Sequence, residues 1–276
     1  MSVDTNIVEH YGTAELLAAI EAGVTALGKT TATVTVEDLG PVDEFHIGGR
    51  TATSALCDRL DVGPDDDLLD VGCGIGGTAR LLASTLGCQV TGIDLVPGYI
   101  DVARELTDWT GLSDRISYEV GSAIDLPLED ASFDAATQLH VGMNIEDKKQ
   151  LFSEIRRVLR PGGTLAVYDI MRTAEGDFSF PVPWASHAST SFVDDVATYE
   201  DALAAAGLEI LAVNNRREFA LEFFAALKQR TAELGGPAPL GLHVIIGSAT
   251  PEKIANMVGA ISEGILAPVE MICQAN

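Results

Sequence analysis

The sequence predicts an α/β chain built on a doubly wound, mostly parallel seven-stranded sheet. Three observations carry that expectation. A short apolar run at 68–71 breaks into Gly72, Gly74, Gly76 and Gly77, and a helix-compatible run follows at 78–86. Strand, glycine turn and helix in that order make the first unit of a nucleotide-binding α/β sheet, because glycines let the backbone turn sharply toward a ligand and the new helix points its free N–H groups at it. Further strand-type runs then alternate with helical ones, which implies parallel pairing with right-handed crossovers. Finally, a carboxylate, Asp94, closes the second strand, where it can accept hydrogen bonds from both hydroxyls of a ribose.

Taken in order, residues 5–28 read as a helix from the recurrence of Ile7, Tyr11, Leu16, Leu17, Ile20 and Leu27. Residues 30–36 are a β-branched linker, and 38–50 a turn-rich stretch rich in Gly and Asp. A second helix is expected over 51–60, so that residues 1–60 form a helical lid ahead of a 61–276 domain. Strands are expected at 68–71, 89–93, 116–120, 134–139, 164–170, 208–213 and 267–273. Helices are expected at 98–110, 148–159, 199–206, 219–234 and 251–262, the last with Pro251 at a tolerated early position. The helix at 148–159 closes at Arg160-Pro-Gly-Gly163. Insertions near 172–197 and 217–264 are placed to cap the sheet. Ligands of such sheets sit beyond the carboxyl ends of the strands, here 72–76, Asp94, 121–124 and 138–140.

The chain has 276 residues, 47% of them hydrophobic, enough for one large domain with a sizeable core. No run of 18 apolar residues suggests a membrane span, and the first ten residues lack the basic and apolar blocks of a signal peptide. Cys57, Cys73, Cys88 and Cys273 are scattered and read as reduced thiols, which points to a cytoplasmic protein. The five histidines are not at metal-ligand spacing, so no metal site is expected. The net charge of −24 argues against nucleic acid as a partner, which needs basic surface. An acidic, lysine-poor surface fits a salt-adapted host as well as an ordinary well-solvated one.

The glycine pattern alone leaves the ligand open. Gly72, Gly74 and Gly77 fit the dinucleotide fingerprint G-x-G-x-x-G, whereas Gly72, Gly74 and Gly76 fit G-x-G-x-G equally well. Later blocks separate these readings. Asp70-x-Gly-x-Gly-x-Gly76, Asp94, Leu126-Pro-Leu-Glu-Asp-Ala-Ser-Phe-Asp134 and Arg157-Val-Leu-Arg-Pro-Gly-Gly163 together resemble the class I S-adenosylmethionine-dependent methyltransferases, over the chain from about Tyr11. More closely, Glu44-Phe-His-Ile-Gly-Gly-Arg50, Met143-Asn-Ile-Glu-Asp-Lys148 and Pro181-Val-Pro-Trp-Ala185 resemble the sarcosine/dimethylglycine N-methyltransferase subgroup, which makes glycine betaine.

The resemblance implies a Rossmann-like methyltransferase fold, S-adenosyl-L-methionine as cofactor and S-adenosyl-L-homocysteine as product. It implies that Gly72, Cys73, Gly74 and Gly76 hold the methionine part, that Asp70 orients the turn or the cofactor amine, and that Asp94 takes the ribose with Leu95 on the adenine. Ser122, Ala123 and Ile124 would line the adenine, Gln138 and Leu139 the methionine carboxylate side. Ile47 and Gly48 would reach the cofactor from the N-terminal segment, and Tyr11 would cover it. Many relatives carry an acid where this chain has Ser122, which weakens the expected contact to the adenine amino group.

Methyl transfer from a sulfonium is an in-line displacement, so the protein's work is positioning, exclusion of water and control of the nucleophile's protonation. His140, just past the fourth strand, and His46 are the candidate proton acceptors. Trp184 could face an ammonium, Arg50 could pair with a carboxylate, and Asn144 and His187 complete the candidate acceptor site. N-methylation of a sarcosine- or dimethylglycine-type amine leads, with O- or C-methylation of a natural product as the alternative. From other classes, an NAD-binding oxidoreductase survives through G-x-G-x-x-G alone, and a non-catalytic cofactor-binding protein would bind without turnover. A small-molecule acceptor is the expected partner; assembly as a homodimer is left open.

Overall fold

A computed structural model describes residues 13–276. Helix α1 (Thr13–Ala26) is followed by α2 (Val36–Asp43) and α3 (Gly49–Cys57). The sheet then alternates with helices as β1 (Asp67–Val71), α4 (Gly77–Leu86), β2 (Gln89–Asp94), α5 (Pro97–Trp109), β3 (Ile116–Val120), β4 (Phe133–Leu139), α6 (Lys148–Val158), β5 (Leu159–Arg172), α7 (Val196–Ala205) and β6 (Leu208–Asn215). Three cap helices, α8 (Arg217–Leu234), α9 (His243–Ile246) and α10 (Thr250–Ser262), precede the final strand β7 (Leu266–Ala275).

The seven strands lie in the order β3-β2-β1-β4-β5-β7-β6. Neighbours are parallel except β7, which runs antiparallel to both β5 and β6. The reversal has a simple cause. The cap helices follow the carboxyl end of β6, and the chain returns from that end as β7, between β5 and β6.

Each sheet face buries its own core. One holds Leu151, Phe152 and Ile155 of α6 with Tyr199 and Leu203 of α7. The other holds Leu56 of α3, Leu82 of α4 and Ile100 of α5. The N-terminal helices join the fold through Ile20, Leu39 and Val42, packed with Val102 and Leu106 of α5. A fourth cluster joins Ile47, Met143 and Trp184 to Met257 and Ile261 of the cap. No helix among the described residues is long and apolar enough to cross a membrane.

Three local expectations are corrected. The stretch 38–50 is not all turn, because α2 forms over Val36–Asp43 despite Pro41. Thr35 caps it and Asp38 reaches back to the Thr35 N–H, a reciprocal capping box that satisfies two otherwise orphaned donors. The third helix starts at Gly49 and ends at Cys57, earlier than 51–60, because Gly48 takes a left-handed φ of 91° that turns the chain into it. Arg160 to Gly163 belongs to β5 rather than to a closing loop: Leu159 already pairs with Phe133, and a register shift before Ala135 absorbs the glycines.

Candidate functional site

The glycine turn stands at the carboxyl end of β1. Gly72, Gly74 and Gly76 have φ values of 72°, 54° and 82°, a region in which side-chain-bearing residues are strained. An added Cβ at Gly72 would overlap Val141, and one at Gly76 would overlap Tyr118, whereas Gly74 faces open space. The turn is therefore packed from behind and clear in front, with the N-terminus of α4 behind it. Asp94 ties this turn to β2. Its Oδ2 accepts from the Gly74 N–H and its Oδ1 from the Val96 N–H, both at 2.9 Å. Burial raises its carboxyl above the ordinary range, against the pull of those amides.

In front of the turn lies a cavity of about 2490 Å³. Of the residues singled out from sequence, Ile47, Gly48, Gly72, Cys73, Gly74, Asp94, Leu95, Ser122, Ala123, Ile124 and Leu139 are on its wall. His46, Arg50, His140, Asn144 and Trp184 line it too. Tyr11 lies outside the described residues. The far wall comes from the cap, where Phe223, Phe224, Ile254, Met257 and Val258 face the space with Trp184 and Phe192.

Four expected wall residues are elsewhere. Asp70 is buried behind the turn, its Oδ1 accepting from the Thr137 hydroxyl at 2.9 Å and its Oδ2 without a side-chain partner among the described residues. Burial lifts its carboxyl to about 7. From the sheet it is placed to orient the turn, one of the two roles expected of it. Gly76 faces Tyr118 and Arg80, not the cavity. Strand alternation puts the Gln138 side chain opposite to Leu139, and there it donates to Asp169 Oδ2 at 3.1 Å. His187 is exposed on the insertion and absent from the wall.

The two candidate histidines are brought together, with ring centroids 6.0 Å apart. His140 is held at a left-handed φ of 55°, with its N–H donating to Tyr168 O at 2.7 Å. A non-glycine residue there stores on the order of 1–3 kcal/mol of strain, which the surrounding packing must override. Its Nε2 is buried without a partner among the described residues, and burial together with His46 pushes its pKa well below the usual imidazole value. His46 is also pushed down, to about 4, by burial. Both rings are therefore neutral at pH 7 and carry a free lone pair.

The sequence did not disclose what lies beneath α2. Arg80 is wholly buried, and its Nη2 reaches Asp43 Oδ1 at 2.5 Å. Its Nη1 donates to Ala103 O and Thr107 Oγ1, each at 3.3 Å. Asp43 is on the cavity wall and leans on Gly77, where an added Cβ would lie 2.5 Å from the Asp43 Cβ. A guanidinium thus braces the N-terminal segment against the helix that follows the glycine turn. The available signal was one arginine inside the apolar run of α4, with nothing to name its partner 37 residues away.

Residues 69–167 match the family described as a methyltransferase domain. The chain carries a class I methyltransferase domain. The cofactor of that class is S-adenosylmethionine, and the open glycine turn, the amide-anchored Asp94 and the 121–124 loop suit its methionine, ribose and adenine parts. Methyltransferase GfsG of Streptomyces halstedii is 33% identical over 184 residues, covering 66% of this chain and 66% of that protein. Among the first curated relatives matched, the chain spans between 30% and 66% of their length. Geranyl diphosphate C-methyltransferase from Streptomyces coelicolor A3(2), solved with Mg2+, geranyl diphosphate and S-adenosyl-L-homocysteine, superposes with a TM-score of 0.66 at 21% identity, over 82% of this chain and 78% of that one. A putative sarcosine dimethylglycine methyltransferase from Galdieria sulphuraria gives 0.63 at 22%, over 81% and 83%. At such identities the methyltransferase domain shares its fold with these structures.

Proposed function

We propose that this methyltransferase moves a methyl group from S-adenosylmethionine to a bulky, largely apolar small molecule through a hydroxyl or amine. The size and lining of the cavity carry this reading. Small-ligand sites are roughly 300–1,000 Å³. A cavity of about 2490 Å³ leaves room for a large acceptor beside the cofactor, against an apolar wall that includes Trp184, Phe223, Phe224, Ile254 and Met257.

Sarcosine or dimethylglycine, the acceptor suggested by the sequence blocks, is the second reading. It keeps the support of the Met143-Asn-Ile and Pro-Val-Pro-Trp blocks at the cavity wall. It would call for a tight site with an anion partner. Arg50, the candidate, donates Nη1 to Val36 O at 2.9 Å, and Trp184 packs beside Phe178 while donating Nε1 to Ser191 Oγ at 2.9 Å. These commitments favour structural roles over capture of a small zwitterion.

Within this reading, Gly72, Gly74, Asp94 and Ser122 hold the cofactor, which when bound supplies an electrophilic methyl group. The cap excludes water and seats the acceptor, and a neutral histidine takes its proton. The N-terminal segment acts as a lid, tied to the cap where Gly48 meets Phe219. Four free, buried cysteines favour a cytoplasmic location. Calorimetric titration of dialysed protein with S-adenosylmethionine, S-adenosylhomocysteine and NAD tests the cofactor side. Binding of the first two and not of NAD is expected; the reverse pattern overturns the reading.

A further inference from the structure

A hydroxyl acceptor must lose its proton as its oxygen takes the methyl, so the orientation of the proton acceptor matters as much as its presence. Resting on the methyltransferase reading, we propose that Glu44, Thr53 and His46 form one hydrogen-bonded line that fixes His46 as its Nε2–H tautomer and presents Nδ1 to the acceptor hydroxyl. This assigns His46 as the proton acceptor, with Thr53 and Glu44 as its positioning residues.

The donor and acceptor assignments leave one consistent arrangement. His46 Nε2 lies 3.2 Å from Gly49 O, which can only accept, so Nε2 carries the hydrogen. The Thr53 hydroxyl has one proton, which it gives to Glu44 Oε2 at 2.8 Å. It therefore receives from His46 Nε2 at 2.7 Å. Glu44 Oε2 also lies 3.3 Å from the same nitrogen. All three side chains are buried, and Thr53 comes from the middle of α3, a rigid mount with a restricted rotamer. Nδ1 has no hydrogen-bond partner among the described residues, and His46 is on the cavity wall. His140, the other candidate, has no hydrogen-bonded carboxylate or hydroxyl at its Nε2 among the described residues.

The charged surroundings agree. Burial raises Glu44 to about 7, while Arg50 on α3 and Arg80 on α4 draw it down. From the sheet, the His140 and Tyr168 rings face His46 at 6.0 and 6.1 Å, and neither opposes a neutral imidazole. Asp43 and Asp70 both feel the Glu44 charge. In the step itself the acceptor O–H bond breaks and its proton goes to Nδ1. The oxygen's electron pair forms the bond to the methyl carbon, and the pair of the carbon–sulfur bond stays on sulfur, cancelling the sulfonium charge. The resulting imidazolium is stabilised through Thr53 by the Glu44 carboxylate.

The test is a two-bond 1H–15N spectrum of the full chain with 15N-labelled histidine, assigned with His46→Gln. The Nε2–H tautomer of His46 is expected from pH 6 to 8 and in Thr53→Ser; in Thr53→Val, Gly49 O still holds that tautomer but the 2.7 Å acceptor is gone, so the Nε2 resonance should shift. An Nδ1–H tautomer, an imidazolium at pH 7, or a Thr53→Val spectrum identical to wild type overturns the arrangement. In a screen of hydroxylated aromatic compounds with labelled cofactor, Thr53→Val should lose more than tenfold in kcat at unchanged cofactor affinity, and Thr53→Ser should restore it. A wild-type enzyme that methylates only carbon acceptors overturns the proton-acceptor role and leaves the methyltransferase reading intact. Failure to bind the cofactor overturns that reading and leaves the tautomer result standing.

Discussion

Replacing Arg80 by methionine should expose how the N-terminal segment is held. Met matches the apolar stem in length, so the perturbation is mainly the loss of the guanidinium. What remains is Asp43, whose carboxylate is 2% exposed and whose Oδ2 has no partner among the described residues even in the wild type. Breaking a buried pair by removing one partner costs about 3–5 kcal/mol, a large share of the 5–15 kcal/mol typical of a whole domain. The cost should depend on pH. Asp43 already stands at about 6 because burial outweighs Arg80, and without Arg80 it must rise further. A folded-state pKa raised above the unfolded value gives stability that is present at low pH and lost as pH rises through the folded pKa. The variant should therefore be nearer to wild type at pH 5 than at pH 8. Adding Asp43→Asn removes the stranded charge and should recover at least 1 kcal/mol at pH 8. Urea unfolding followed by circular dichroism, compared at both pH values, reads all three quantities. A loss under about 1 kcal/mol, a loss independent of pH, or no recovery in the double variant would refute the brace.

Other expectations can be checked alongside. Asp94→Ala should weaken S-adenosylmethionine binding by about 1.5–3 kcal/mol, the range for hydrogen bonds to a charged group, and unchanged calorimetric affinity would remove Asp94 from the site. Gly48→Ala forces a side chain into a φ of 91° and onto the Phe219 ring, so both the melting temperature and turnover should fall; an unaltered melting temperature would contradict that contact. Melting temperature should also fall between pH 6 and 8 in 1 M salt, which screens surface repulsion from the net charge of −24. Burial raises Glu44 and Asp70 to about 7 from ordinary values of 4.5 and 3.8, so their contribution is lost as pH rises toward 7 and above. The lowered histidines act oppositely, but their contribution is complete above about 6.5, the ordinary imidazole value. A flat or rising profile would contradict the protonation states assigned here.

The sheet was legible because its signals are local. Alternating apolar runs, the glycine turn and Asp94 are written in consecutive residues, and all seven strands lie within a few residues of where the pattern puts them. The direction of β7 was not, since strand polarity depends on where the cap delivers the chain. Helix α2 was hidden by Gly40-Pro41, which read as turn, although Thr35 and Asp38 at capping-box spacing were there to be seen. In the site, residues next to the turn or at strand ends mostly fell on the cavity wall. Gln138 did not, because one step along a strand reverses a side chain. Arg80 with Asp43, and Thr53 with His46, depend on elements brought together only by folding. The bulk of the cap wall from Phe223 to Val258 belongs to the same class: its helices were readable, their facing was not.

The identity of the acceptor is tested most directly by incubating the protein with methyl-deuterated S-adenosylmethionine and a mixed panel of sarcosine, dimethylglycine and bulky apolar hydroxyl and amine compounds, and reading the products by mass spectrometry. The apolar cavity predicts label on a bulky member of the panel and none on sarcosine or dimethylglycine. Label on the two small amino acids alone would contradict it.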